Sequence, residues 1–371
     1  MGEPAAAAAG ASFGSEPMRQ AVPQSLTSFA GCVLQAIGTP EDIAAQVARH
    51  LVGANLAGHD SHGVLRLSWY VEAAERGRID VAARPELVRA QGACALFDAH
   101  RGFGHHSTSV ALEWALAQAP QHGIASVAVR HSTHIGRLGE YTERAVGAGY
   151  LAMVTVGNAG PRSRLTPPFG GREPALGTNP WALGAPGLSH VYLYDGATTT
   201  VAEGKVRAAQ AKGVEVPPGC ITDRDGRPTT RPDDFYAGGA MVPLGEQVAG
   251  HKGFGLGLGS ALFGALSLAA DAADVPADGS IDGVWLLVLD PAAFGEADRY
   301  RAIVEANLVA VKAVPAAAGS TGVLLPGEPE QASRRERSAG MLLPDATWED
   351  LRRLAERFEI EPPVEASSAS G

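Results

Sequence analysis

The chain has 371 residues, enough for two domains or for one large core with insertions. A formal net charge of −10, without a basic run of five or more, excludes the phosphate-neutralising face that a nucleic-acid partner requires. Cys32, Cys94 and Cys220 are isolated and no CxxC occurs, so a disulfide framework and a zinc ribbon are not indicated and a reducing cytoplasm is expected.

Residues 1–24 are rich in Ala, Gly, Pro and Ser and read as a tail, as do residues 362–371. The N-terminal stretch has neither a basic n-region nor a strongly apolar h-region, which argues against a secretory signal. Residues 25–58 carry helical spacing. Thr39-Pro40-Glu41-Asp42 predicts a helix start, because Pro fits the first turn and acids suit the positive end of the dipole. Ile43, Val47, Leu51 and Leu56 then form a core-facing stripe. A second helix is predicted over 65–76, short strands between 84 and 97, and a further helix over 107–119.

The run 124–130 predicts a buried strand, followed by a His-rich turn and a helix over 140–146. A strand over 150–156 precedes a long Gly/Pro loop at 157–180 and a strand at 191–194. Residues 253–270 predict a long helix, 284–289 a strand and 351–358 a last helix. The uncharged stretch 254–270 falls short of the roughly 20 residues that span a bilayer, and Asp271 and Asp274 follow it. It is therefore expected to be a buried helix, with no membrane partner. Strands and helices mix without a steady βαβ beat, which predicts an α/β fold of the mixed α+β kind.

The usual phosphate-binding loops are missing. The nearest approaches to GxGxxG, at Gly102–Gly104 and Gly255–Gly257, lack the third glycine at the required spacing. The run Gly245 to Gly250 is followed by His251 where a P-loop needs Lys. A GxSxG at residues 10–14 lies in the tail with no strand before it, so a nucleophile elbow is not expected there.

Two HxxH pairs are more informative: His59 with His62, and His131 with His134. Three readings stay open: a metal site, acid/base chemistry by a histidine titrating near neutrality, or structural histidines. The missing HExxH and the scarcity of nearby Glu weigh against zinc. Arg66 follows His62 by four residues, so a helix opening at Asp60 would set both on one face. An Arg beside a His suits a 2-oxo or 2-hydroxy acid, with guanidinium clamping the carboxylate and imidazole serving the carbonyl oxygen. A surface ion pair is the plainer alternative.

The segment Asp60-Ser-His-Gly-Val-Leu-Arg66, with Tyr70, resembles the DSHGxxR…Y signature of the malate/L-lactate dehydrogenase-like oxidoreductases. Further blocks follow in the family's order. Residues 129–141 resemble its SxHxGxxGxY turn, Pro168–Gly171 its PFGG, and Gly177–Pro180 its GTNP. Asp195 to Lys205 resembles DxATSxxAxGK, Pro243-Leu-Gly its PLG, His251 to Leu256 its HKGYGL, and Leu325 to Glu328 its C-terminal PGE.

The resemblance implies a non-Rossmann, mixed-sheet NAD(P)-binding domain packed on a discontinuous helical domain built from both chain ends, commonly in a homodimer. On this sequence that gives residues 25–122 plus 308–361 for the helical, substrate domain and 123–307 for the cofactor domain. It implies hydride transfer between NAD or NADP and a small carboxylate, a 2-oxo or 2-hydroxy acid, with a cyclic imino acid as the alternative substrate. His134, or else the Ser61–His62 pair, would be the acid/base. Arg66, Tyr70, Thr178 and Lys205 would bind substrate. His134, Ile135, Gly136, Asn158, Asp195, Gly196, Ala197, His251, Lys252, Leu325, Pro326, Gly327 and Glu328 would line the cofactor, with no metal.

The chain departs from the family pattern at Gly196, where a bulkier residue is usual, and at Thr199, where Ser is usual. Lys205 is the usual residue, while an imine-reducing branch resembles a variant with Asp there. Arg162 and Arg164 lie in the loop after Asn158 and suit either a 2′-phosphate or solvated surface. A rival class is a metal-dependent hydrolase or lyase using the HxxH pairs.

Overall fold

Apolar stripes at helical spacing account for the first third of the chain. In the computed structural model, which describes residues 18–160, 163–269 and 281–366, strand β1 (Met18–Ala21) leads into helices α1 (Pro23–Ala36) and α2 (Glu41–Leu56). Two 3-10 turns follow, Asp60–His62 and Val64–Arg66, and then α3 (Leu67–Glu75). Strands β2 (Glu86–Gln91) and β3 (Cys94–Asp98) precede α4 (Gly104–His122), β4 (Ile124–Arg130), α5 (Gly139–Gly147) and β5 (Leu151–Ala159). Next come β6 (Trp181–Pro186), β7 (Val191–Gly196), α6 (Glu203–Lys212), and the short strands β8 (Ile221–Thr222) and β9 (Pro228–Thr229). Helix α7 (Pro232–Tyr236), β10 (Ala240–Met241), α8 (Glu246–Gly264) and a 3-10 turn at Ala265–Leu268 lead to β11 (Ile281–Leu289). The chain ends with α9 (Ala297–Lys312), α10 (Glu328–Arg337), β12 (Met341–Pro344) and α11 (Asp345–Phe358). The GxSxG at 10–14, most of the N-terminal tail, the end of the C-terminal tail, Arg162, Asp271 and Asp274 lie outside the described residues.

The chain divides into two units. The first holds the described residues up to Gly77, Ala185–Tyr192 and those from Gly295 onward, so it joins segments from both halves of the sequence. Within it β1 pairs antiparallel with β12. The core collects Leu26, Phe29, Val33 and Leu34 of α1, Ile43, Val47 and Leu51 of α2, Leu67 and Val71 of α3, and Trp348, Leu351 and Leu354 of α11, all at most 5% exposed. Such burial is the main driving force for the unit.

The second unit holds the described residues of Arg78–Gly184 and Leu193–Phe294. The strand order is β2-β3-β4-β11-β5-β6-β7. The pairing β3–β4 is parallel, while β2–β3, β4–β11, β11–β5 and β5–β6 are antiparallel. This mixed sheet is not the all-parallel, doubly wound Rossmann arrangement. Alternate residues of β11 show why it is covered on both faces. Val284, Leu286 and Val288 join the core with Ala111, Leu112 and Ala115 of α4. Trp285 meets Phe263 of α8 at 4.8 Å between ring centroids. Helix α8 comes very close to the sheet because Gly157 faces it: a Cβ there would lie 2.3 Å from the Ala261 nitrogen. A smaller sheet, β10-β8-β9, packs Ile221 and Met241 against Val206 and Ala209 of α6.

Three sequence expectations need correction. The helix expected to open at Asp60 is two 3-10 turns, broken at Gly63, whose backbone is extended. The long helix begins at Glu246 and ends at Gly264, and it is buried along one side only: Leu256, Leu262 and Phe263 are exposed. The loop 157–180 starts later than expected, because Gly157 to Ala159 continue β5 against β11.

Candidate active site

The first group of candidate residues lies in the helical unit. Ser61 Oγ lies 3.0 Å from His62 Nδ1, and Arg66 Nε donates to the Ser61 carbonyl at 2.8 Å. All three side chains are half-buried. The four-residue helical spacing that would have put His62 and Arg66 on one face is not what joins them; both are tied to Ser61. Tyr70 is wholly buried. Burial pushes its phenol pKa well up and the positive Arg66 pulls it partly back, so it backs Arg66 as a neutral group.

The turn Leu325–Glu328 opens α10. Gly327 takes φ +99°, the left-handed region that favours glycine. Glu328 Oε2 accepts from the Leu325 amide at 2.8 Å, and Lys312 Nζ reaches both carboxylate oxygens at 2.6 and 2.5 Å. Burial raises the Glu328 pKa, but Lys312 and the Leu325 amide outweigh it and the net shift is downward. In the same unit Glu305 accepts from the backbone amides of Leu188, Ser189 and His190 and from His190 Nδ1 at 2.7 Å. The His190 amide and ring, with the neighbouring amides, hold the Glu305 carboxyl down at about 2.

In the sheet unit, His134 follows a tightly fastened turn. Asp98, at the end of β3, is 4% exposed and accepts from the His100 amide, Arg130 Nε and His131 Nδ1 at 2.8, 2.9 and 3.0 Å. Burial pushes its carboxyl pKa up, yet these donors prevail and the net shift is down. His100, Arg101 and His131 all take positive φ, between 48 and 58°, a strained state for residues with side chains. Thr133 Oγ1 donates to the Gly102 carbonyl at 2.8 Å and accepts from the Gly104 amide at 3.1 Å. A Cβ at Gly104 would lie 2.3 Å from the Thr133 carbonyl oxygen and 2.6 Å from that of His134. The His134 ring meets His105 edge-on at 6.0 Å. Beyond it, Tyr141 donates to the Ile135 carbonyl at 2.6 Å, Gly136 takes φ +72°, and Asp195 Oδ2 accepts from the Gly139 amide at 2.7 Å. Asp195 thus sits at the N-terminus of α5, where a carboxylate is favoured.

A second cluster in this unit brings the GTNP, DGATT and HKGFGL segments together. Asn179, 2% exposed with φ +40°, donates to the carbonyls of Asn158 at 3.0 Å and Gly257 at 2.7 Å and accepts from the Asn158 amide at 3.1 Å. Thr198 Oγ1 bonds the Thr178 carbonyl at 3.0 Å. Phe169 of PFGG meets His251 edge-on at 5.7 Å. Lys252 is exposed, and so is Lys205 on α6. Gly196 is explained locally: a Cβ there would lie 2.6 Å from the Tyr194 hydroxyl. Ala197 is half-buried beside it.

The four HxxH imidazoles engage different partners. His59 meets Glu330 at 3.2 Å, His62 meets Ser61, His131 meets Asp98 and His134 meets His105. Among the described residues no three His, Cys, Asp or Glu side chains group to hold a metal ion. Sequence reasoning missed Asn55, Asp98 and Arg337, whose contacts join distant parts of the chain, and gave Asn179 no role inside its motif.

The sheet unit is mixed rather than Rossmann, and the helical unit carries a Ser–His pair with an Arg tied to the same serine. The malate/L-lactate dehydrogenase family model matches residues 22–352, and the chain belongs to that family. It is 36% identical over 337 residues to hydroxycarboxylate dehydrogenase B of Escherichia coli (strain K12), covering 88% of this chain and 91% of that protein. It is 34% identical over 336 residues to the Δ1-pyrroline-2-carboxylate reductase of Ancylobacter novellus, covering 87% and 94%. Its structure is similar to malate dehydrogenase from Pyrococcus horikoshii OT3, with a TM-score of 0.83, 28% identity and coverage of 95% and 99%. The chain is therefore an enzyme, a dehydrogenase-like oxidoreductase.

Proposed function

We propose that this enzyme reversibly transfers hydride between NAD(P)H and a small 2-oxo or 2-hydroxy acid. The observation that carries this reading is the joint anchoring of His62 and Arg66 on Ser61. Arg66 spends Nε on the Ser61 carbonyl; its terminal nitrogens form no other hydrogen bond among the described residues and suit a substrate carboxylate. Ser61 and His62 share a hydrogen bond along which a proton can pass, so the pair protonates the carbonyl oxygen on reduction and takes that proton back on oxidation. Tyr70 supports Arg66 from the core. Thr178 and Lys205 complete the substrate set.

The residues present fit a dinucleotide. Asn158 is held in place by the buried Asn179 amide, and His251 and Lys252, both exposed, lie on α8 of the same unit. His134, Ile135, Gly136, Asp195, Gly196 and Ala197 are the further cofactor candidates in the sheet unit, and Leu325 to Glu328 are candidates in the helical unit. When bound, the nicotinamide supplies or accepts the hydride. His134 orients the cofactor rather than moving the proton.

Imino acid reduction is the second reading, favoured by the similarity to the Ancylobacter novellus reductase. Lys205 in place of Asp speaks for the keto acid. A homodimer is proposed from apolar residues left exposed on two helices: Ile303 and Val309 on α9, which buries no residue, and Leu262 and Phe263 on α8. Light scattering should give twice the chain mass. A reducing cytoplasm is the setting proposed for Cys32, Cys94 and Cys220, all thiols. The direct test of the whole reading is NAD(P)H oxidation with a panel of 2-oxo acids and a cyclic imino acid.

A further inference from the structure

The segment that carries Ser61, His62 and Arg66 owes its shape to two residues outside it. Asn55, near the end of α2, is 1% exposed. Its Oδ1 accepts from the Val64 amide at 2.9 Å and its Nδ2 donates to Asp60 Oδ1 at 2.7 Å. One buried amide thus ties the first 3-10 turn to the second across Gly63, and a Cβ at Gly63 would lie 2.2 Å from Asn55 Oδ1. A buried side-chain amide with both ends satisfied fixes one local geometry, because any alternative leaves a polar group unpaired.

Arg337 closes the arrangement from the other end of the sequence. Its Nη1 donates to the Asn55 carbonyl at 2.7 Å and to Asp60 Oδ1 at 2.8 Å. It is the last residue of α10, the helix that opens at the Leu325–Glu328 turn and places Glu330 against His59 at 3.2 Å. The first turn of the 59–66 loop is therefore held at His59 and Asp60 by one helix, and the helix is pinned at its start by Lys312 on Glu328.

We infer that Asn55 and Arg337 are positioning residues for turnover: by fixing Asp60 and Val64 they set the placement of Arg66 relative to the Ser61–His62 pair. Neither belongs to the proposed substrate set; they act through the loop. The inference rests on the proposed function. A displacement of about 1 Å in a reacting constellation costs on the order of a hundredfold in rate, so a loosened loop should be visible in kinetics before it unfolds the protein. Lysine at 337 would keep the charge but lose the fixed guanidinium geometry that serves two acceptors.

The test uses the full chain with Arg337→Gln, Arg337→Lys and Asn55→Ser, assayed below each variant's melting temperature with the best 2-oxo acid of the wild type. The expected result is a loss of kcat/KM of about tenfold or more for Arg337→Gln and Asn55→Ser, with a moved pH inflection and an unchanged NAD(P)H dissociation constant. Arg337→Lys should recover part of the loss, and it also serves if Arg337→Gln does not fold. Variants that melt earlier yet keep wild-type kcat/KM and pH profile would overturn the positioning role alone. A wild-type enzyme inactive on every 2-oxo and imino acid would overturn the proposed function and this inference with it.

Discussion

The hydroxyl of Ser61 lies 3.0 Å from Nδ1 of His62, and the carbonyl of the same serine receives Nε of Arg66 at 2.8 Å. One residue thus links the proposed proton carrier to the proposed carboxylate clamp. Removing its hydroxyl alone, by Ser61→Ala, should lower kcat by about 100-fold, the low end of the range general acid–base groups contribute. His62→Asn should cost more. His134→Asn should raise the cofactor dissociation constant instead, so steady-state kinetics with fluorescence titration separates the two histidines.

Arg66→Lys keeps a positive charge but abolishes the bidentate fork. The expected outcome is a rise in KM for the carboxylate substrate of about 10- to 100-fold, corresponding to the roughly 1.5–3 kcal/mol of a hydrogen bond to a charged group. The cofactor dissociation constant should not change. Comparing the two substitutions Arg66→Lys and Arg66→Ala separates the contribution of geometry from that of charge.

Gly104→Ala tests how closely α4 abuts the His134 turn. The new methyl would lie 2.3 Å from the Thr133 carbonyl oxygen, a backbone atom that cannot rotate away. A loss of about 1–3 kcal/mol of stability is expected, as for overpacking elsewhere, together with weaker cofactor binding. Thermal melting and fluorescence titration check both.

Glu305 gives a pH dependence with a defined sign. Its folded pKa of about 2 lies below the ordinary 4.5, so its charged form stabilises the fold above the ordinary value and that contribution is lost as pH falls through about 2. Between those limits the wild type should lose melting temperature more steeply than Glu305→Gln. A parallel decline of the two would show that the His190 clamp adds nothing to stability.

Much of the architecture was legible where a single element buries a stripe. The strand 124–130 appears with the predicted bounds, and Ile43, Val47 and Leu51 lie on the buried side of α2. Helices α9 and α10 escaped; neither buries a residue, and only α9 carries apolar residues at helical spacing, Val304, Leu308 and Val311. Helix α2 starts one residue after Pro40, with Glu41 and Asp42 in its first turn. The motifs marked Ser61, His62, Arg66 and His134, but the residues that fix them did not announce themselves. Arg337 meets Asp60 across 277 positions, and Asp98 meets Arg130 and His131 across a parallel strand pair. Such contacts follow from topology, and periodicity carries no trace of them. Tyr70 is the converse case: Leu67, Tyr70 and Val71 share a helical stripe, and that spacing already points the ring into the core.

The most direct test of the account is a fluorescence titration of the protein with NADH and with NADPH, continued by adding pyruvate, oxaloacetate and related 2-oxo acids. Saturable binding of at least one cofactor, followed by its oxidation with a small 2-oxo acid, is the predicted result. Failure of both cofactors to bind at millimolar concentration would contradict the proposed hydride transfer.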